Sequence, residues 1–189
     1  MKNFVLSLFL LLNLSVFAQK PCEIDTNVTD SLGTYKLLKQ AIIFERSFAG
    51  NSTNFFFALS KNNGVLGLET QILLRSSNFI KANCFDSNSR IYLQLNNGKI
   101  VTLLYNGNET CGTLLRNDKN LNSRIMSGSF LFSKENYDAL KESPVTFMRV
   151  KYSGETIDYP FKTTFISELD KKVYQPENYF IDYLKCIEN

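Results

Sequence analysis

Three short turn signals, each flanked by runs in which apolar and polar residues alternate, constrain this chain more than any other feature of it. A period of two sends successive side chains to opposite faces of a strand. A turn dipeptide between two such runs folds them into an antiparallel hairpin.

The first hairpin joins "NFFFALS" to "VLGLETQILL" through "KNNG", with Leu66, Leu68, Thr70, Ile72 and Leu74 on one face and Gly67, Glu69 and Gln71 on the other. The second is "RIYLQLNNGKIVTLLY". A two-residue turn at Asn97-Gly98 sets Asn96 opposite Lys99 and groups Ile91, Leu93 and Leu95 with Ile100, Thr102 and Leu104 as the core face. A three-residue loop with a G1 bulge shifts that register by one; the two-residue turn is the expectation adopted. The third, "VTFMRVKYSGETIDYPF", turns at Ser153-Gly154 and puts Thr146, Met148, Val150 and Tyr152 on a face with Glu155, Ile157, Tyr159 and Phe161. Arg149 then lies opposite Asp158 on the outer face, as an ordinary cross-strand ion pair rather than a catalytic one.

Helical periodicity is confined to later segments. "SKENYDALK" predicts a short helix with Ser133 as N-cap and Glu135 in its first turn. "TTFISELDKKV" is a further helix candidate despite its β-branched start. In "PENYFIDYLKCIEN", Pro176 suits the first helical position, and Tyr179, Phe180, Tyr183, Leu184 and Ile187 follow a 3.6-residue period that also turns Cys186 inward. Hairpins followed by helices predict a mainly β fold, with α+β as the other class the pattern allows. We expect an antiparallel β-sandwich or strongly curved sheet of about seven or eight strands, with a C-terminal helix docked on it; a lipocalin-like barrel is the alternative.

The chain opens "MKNFVLSLFLLLNLSVFAQKPC": a basic residue, a short apolar run and a small residue at Ala18, the pattern of a signal peptide cleaved after Ala18. Asn13 and Ser15 interrupt the run, which makes a retained membrane anchor the weaker reading. Residues 19–189 have no linker-like block and read as a single globular domain. With Lys2 removed, 20 of the 21 basic side chains remain against 18 acidic ones, well interspersed. That balance gives no reason to expect nucleic acid as a partner, nor stable membrane insertion after cleavage. The Lys-, Asn-, Ile- and Phe-rich composition and the Ala-Gln junction suggest a bacterial periplasmic or secreted protein.

Four cysteines in an exported chain read as two disulfides. Extending the second hairpin without a bulge sets Cys84 against Cys111 and leaves Cys22 for Cys186. A bridge at the hairpin is worth on the order of 3 kcal/mol. This makes "YNGNETCG", Tyr105 to Gly112, a clasp rather than an active site; its Asn108-Glu109-Thr110 triplet is matched at Asn27 and Asn51, as chance alone allows in a chain this rich in Asn, Ser and Thr. No metal site is expected, since there is no CxxC pair and no histidine.

The absence of histidine also removes Ser-His-Asp and Cys-His catalysis and the HExxH metalloproteases. No SxxK, GxSxG, P-loop or GxGxxG string is present, and no cofactor is expected. A histidine-free hydrolase with two carboxylates across a cleft is the surviving enzymatic alternative. Glu69, mid-strand beside Gln71, is its one distinguishable carboxylate, and the plainer reading is a solvated strand face. In "NFFFALS", Phe55 and Phe57 share a face, so they either fill the core or meet a partner; core packing is the expectation. Phe55, Phe57, Glu69 and Gln71 together are the candidate binding surface. The expected function is non-enzymatic: an exported protein that binds a partner protein, as an inhibitor, immunity-type protein or envelope component, with a lipid or sugar carrier as the alternative.

Overall fold

In the computed structural model the described residues are 20–118, 120–133 and 137–188. The expected signal peptide therefore lies outside them, as do residues 134–136 of the first helix candidate.

Thirteen strands follow in chain order: β1 (Ile24–Asp30), β2 (Gly33–Leu38), β3 (Ala41–Phe48), β4 (Asn51–Asn62), β5 (Val65–Ser76), β6 (Arg90–Leu95), β7 (Ile100–Tyr105), β8 (Thr113–Arg116), β9 (Asn122–Phe132), β10 (Val145–Lys151), β11 (Thr156–Pro160), β12 (Phe165–Ile166) and β13 (Val173–Tyr174). A short helix, α1 (Ala139–Glu142), precedes β10, and a 3-10 turn at Pro176–Asn178 leads into α2 (Tyr179–Glu188). The first eleven strands form one antiparallel sheet that runs β1-β2-β4-β5-β9-β7-β6-β10-β11. Its ends stay open, so no barrel closes. The strand count exceeds the expectation because residues 24–48, where no hairpin was read, form three strands, β2 and β3 pairing with β4 and β1 with β2, and because β8, β12 and β13 add short ones.

Two forks bend the sheet. β2 and β3 follow one another along the same edge of β4, pairing with Ser60–Asn62 and Asn51–Phe57 respectively. β7 and β8 share an edge of β9 in the same way. Strands of eleven or twelve residues accumulate twist. A fork lets neighbours leave where the twist carries them away. The sheet curls until β11 faces β3 and β4: the ring of Tyr159 lies 5.2 Å from that of Phe44 and 5.3 Å from that of Phe55, both edge to face.

The core lies in this fold-over. Phe55 and Phe57 have no exposed surface, and Phe57 meets Tyr179 and Phe180 of α2 at 5.7 and 5.9 Å between ring centroids. Burial of an aromatic side chain of this size stabilises by about 2–3 kcal/mol, which docks the C-terminal helix on β4. A second aromatic cluster joins Phe85 to Tyr105, Phe130 and Tyr152, each at 5.2–5.3 Å.

Three expectations are corrected. In the β6–β7 hairpin Ile91 pairs with Leu103 and Leu93 with Val101, one residue away from the two-residue turn. The loop is the three-residue form, with Gly98 at φ +83°. Its extra residue is held from outside the hairpin, since Asn96 N–H donates to Pro144 O and Asn97 N–H to Ser143 Oγ. Val101 and Leu103 are therefore the buried partners of Ile91 and Leu93, and Ile100 and Leu104 face out. The second correction is "TTFISELDKKV", which forms the β12–β13 hairpin rather than a helix. Its β-branched residues favour extension, and Glu45 of β3 pins the turn by accepting from Ser167 Oγ and Glu168 N–H. Third, the first helix is shortened to Ala139–Glu142 and Ser133 is not its N-cap.

The cysteines pair as Cys22–Cys186 and Cys84–Cys111, with Cα separations of 5.5 and 4.0 Å. The second pair sits beside Phe85 and Thr110, which exchange both backbone hydrogen bonds. Cys84 and Cys111 thus occupy the narrow, non-hydrogen-bonded position, reached through irregular chain rather than by the uninterrupted register expected. Two disulfides indicate an oxidising, extracellular compartment. Among the described residues no helix is long and apolar enough to cross a membrane.

Candidate functional site

Directly paired residues of adjacent strands share a face, so the ladders define what the outer side of the sheet presents. Across β2, β4, β5 and β9 it carries Tyr35, Asn62, Ser60, Gly67, Glu69 and Ser129. Leu131 pairs with Leu104, which continues the same face onto β7, β6 and β10 through Tyr92, Phe147 and Arg149.

Glu69 and Gln71 are on this face; Phe55 and Phe57 are not. Full burial in the core removes both phenylalanines from the candidate surface. Glu69 stands in a shallow groove of about 410 Å³, where its Oε1 accepts from Ser60 Oγ at 2.9 Å and Ser129 Oγ at 3.0 Å. Burial, and then the negative charge of Glu69, hold the Tyr35 phenol above its ordinary acidity range. Among the described residues no second carboxylate lines this groove. The paired-carboxylate geometry a hydrolase needs is not assembled there. Among the described residues, the carboxyls whose acidity is displaced, Glu23, Asp86, Asp158 and Asp170, are all displaced downward, the direction opposite to that of a general acid.

The other end of the face has a different chemistry. Tyr92, Ile100, Phe147 and Arg149 line a depression of about 460 Å³. Ile100 is 53% exposed and Leu104 42%. Two local irregularities create this surface. The three-residue β6–β7 loop turns Ile100 and Leu104 outward. A bulge in β10 then lets Val145 point inward opposite Leu95 while Phe147 points outward opposite Gln94. Arg149 lies over the Phe147 ring, 5.7 Å from its centroid, and grips Asp158 with Nε and Nη2 at 2.7 and 2.8 Å. Both partners respond as a charge-assisted pair should: Asp158 is held below the usual carboxylate range and Arg149 above its own.

Sequence reasoning placed Arg149 and Asp158 opposite each other and Tyr92 on the non-core face, but it assigned Ile100 and Leu104 to the core and did not single out Phe147. An Asn-Gly dipeptide is compatible with both loop lengths, and the only available sequence signal was that the bulged register mixes Lys99 with apolar neighbours. Among the described residues no group of His, Cys, Asp or Glu is arranged to hold a metal ion. No family model, curated protein or solved structure matches the chain.

Proposed function

We propose that this is an exported, non-catalytic binding protein that meets a partner protein through the β7–β6–β10 part of its outer sheet face. In this reading residues 1–18 are the signal peptide, and the mature chain works in the bacterial periplasm or outside the cell, where its two disulfides persist.

One observation carries the reading: two adjoining irregularities, the G1-type loop and the β10 bulge, turn Ile100, Leu104 and Phe147 out of the core and beside Tyr92 and Arg149. Tyr, Phe and Arg are enriched in protein interfaces, and Tyr and Arg among the residues that dominate binding energy. An arginine already oriented by Asp158 and Phe147 loses little side-chain freedom on binding. The polar groove at Glu69 lies on the same face and supplies hydrogen-bonding groups at the edge of such an interface.

The test is a pull-down from the source organism with the mature, oxidised protein, in parallel with the double variant I100E/F147E. Ile100 faces solvent and Phe147 lies half-buried on the outer face, outside the core, so the variant is expected to keep its melting temperature within a few degrees. The expected result is a specific protein enriched by the native chain and lost with the variant. Equal retention by the variant, or recovery of a lipid or sugar without any protein, would overturn the proposal.

A further inference from the structure

On the opposite, inner side of the sheet the fold-over leaves a cleft of about 210 Å³ between β3, β4, β5 and β9 on one side and β11 with Tyr152, the residue after β10, on the other. Phe44, Ile72, Leu74, Met126 and Ile157 form the apolar part of its walls, and Thr53 and Asn83 add neutral polar groups. Set into them is Arg124, only 9% exposed. A guanidinium stays charged in proteins, and burying a charge without an opposite one is costly.

Arg124 has no carboxylate partner among the described residues. Its Nη1 donates to Cys111 O at 3.1 Å and its Nη2 to Ile80 O at 3.4 Å, a long contact, while the buried Nε–H has no acceptor. Two neutral carbonyls hold the group in place without neutralising it. The carboxylate that lines the cleft, Asp158, has both oxygens committed to Arg149 on the outer face. Arg46 adds a second positive charge at the exposed rim.

The cleft also offers a neutral donor. Tyr152 and Tyr159 share one hydrogen bond between their hydroxyls at 2.8 Å, so whichever donates, the other retains its own proton. Burial chiefly keeps both protonated: Tyr159 is pushed up to about 12 and Tyr152 further in the same direction.

We infer that this cleft is a binding site for a small carboxylate with a compact apolar body, the carboxylate set against Arg124 and the apolar part between Ile72, Met126 and Ile157. An apolar cavity of about 150 Å³ holds a benzene molecule, so the volume suits an arylalkyl or short-chain acid of roughly ten non-hydrogen atoms. An incoming carboxylate supplies the counter-charge that Arg124 lacks. The inference stands apart from the partner-binding face: the two meet only at Asp158, which lines the cleft and holds Arg149.

The probe is 3-phenylpropanoate, compared with its neutral analogue 3-phenylpropan-1-ol, titrated into the mature, disulfide-bonded chain by calorimetry and amide NMR. Expected are saturable binding of the acid, shifts centred on Met126 and Ile157, and affinity for the alcohol weaker by about tenfold or more. R124M is expected to abolish that preference. Because Arg124 also anchors two loops, I157W serves as a second variant: it narrows the cleft, leaves the Arg124 hydrogen bonds in place, and is expected to block the acid. Absence of binding up to millimolar concentration, equal affinity for acid and alcohol, or undiminished binding to I157W would overturn the inference.

Discussion

Arg149 shows how far a single residue could be placed from the sequence. The Ser153-Gly154 turn and simple alternation set it opposite Asp158, and the ladder pairs them. The consequence is a pH effect of known sign. Asp158 is held below its ordinary value of 3.8 by the Arg149 hydrogen bonds and charge. Its contribution to stability is therefore full above the unfolded value and is lost as pH falls through the folded one. R149M should raise the Asp158 midpoint back toward 3.8, read by carboxyl NMR titration, and should remove this part of the acid sensitivity. An unchanged midpoint would show that the pair does not persist in solution. Arg124 was not distinguishable in this way. Nothing in "NSRIMSG" marks its arginine as the one turned inward opposite Leu74, because its burial depends on loops recruited from residues 80 and 111.

At the scale of elements, the β6–β7 hairpin was found but its register was not. Local chemistry leaves the choice between a two- and a three-residue loop nearly balanced, and contacts from Ser143 and Pro144 tip it. Gly98 adopts φ +83° with open space around it, so its substitution isolates backbone strain. G98A should cost about 1 kcal/mol, seen as a lower urea midpoint with an unchanged slope; no loss would mean that the positive-φ loop is not formed. Gly112 also adopts a positive φ, +70°, and a methyl group there would lie 2.5 Å from Ile125 O. Its glycine is needed for space as well as conformation, which closes the clasp around Cys111. The β12–β13 hairpin was misread because a segment with both β-branched and helix-forming residues follows its anchor, here Glu45, rather than its own propensity.

For the whole molecule, the two disulfides act at different ranges. Cys84–Cys111 spans 27 positions and Cys22–Cys186 spans 164. Chain-entropy arguments give about 3.5 and about 5 kcal/mol respectively. C22A/C186A should therefore lower the urea midpoint more than C84A/C111A does. The reverse order would show that the hairpin clasp stabilises through its aromatic cluster rather than through chain entropy alone. The clasp also has a local role: it borders Phe85, and Cys111 O accepts from Arg124. Loss of this bridge is thus the change expected to disturb the inner cleft.

Period-two alternation, turn dipeptides, paired cysteines and the absence of histidine are local or compositional facts. By themselves they determined a mainly β fold built from hairpins, a C-terminal helix docked by its aromatic face, and the exclusion of histidine-based catalysis. Tertiary structure alone decided which side chains face solvent on β7 and β10, how the sheet folds over itself, and where the buried guanidinium meets a cleft. Those outcomes turn on one-residue register shifts and on loops distant in sequence. Because strand faces alternate, a shift of one residue exchanges core for surface, and no local signal in the chain is strong enough to settle it.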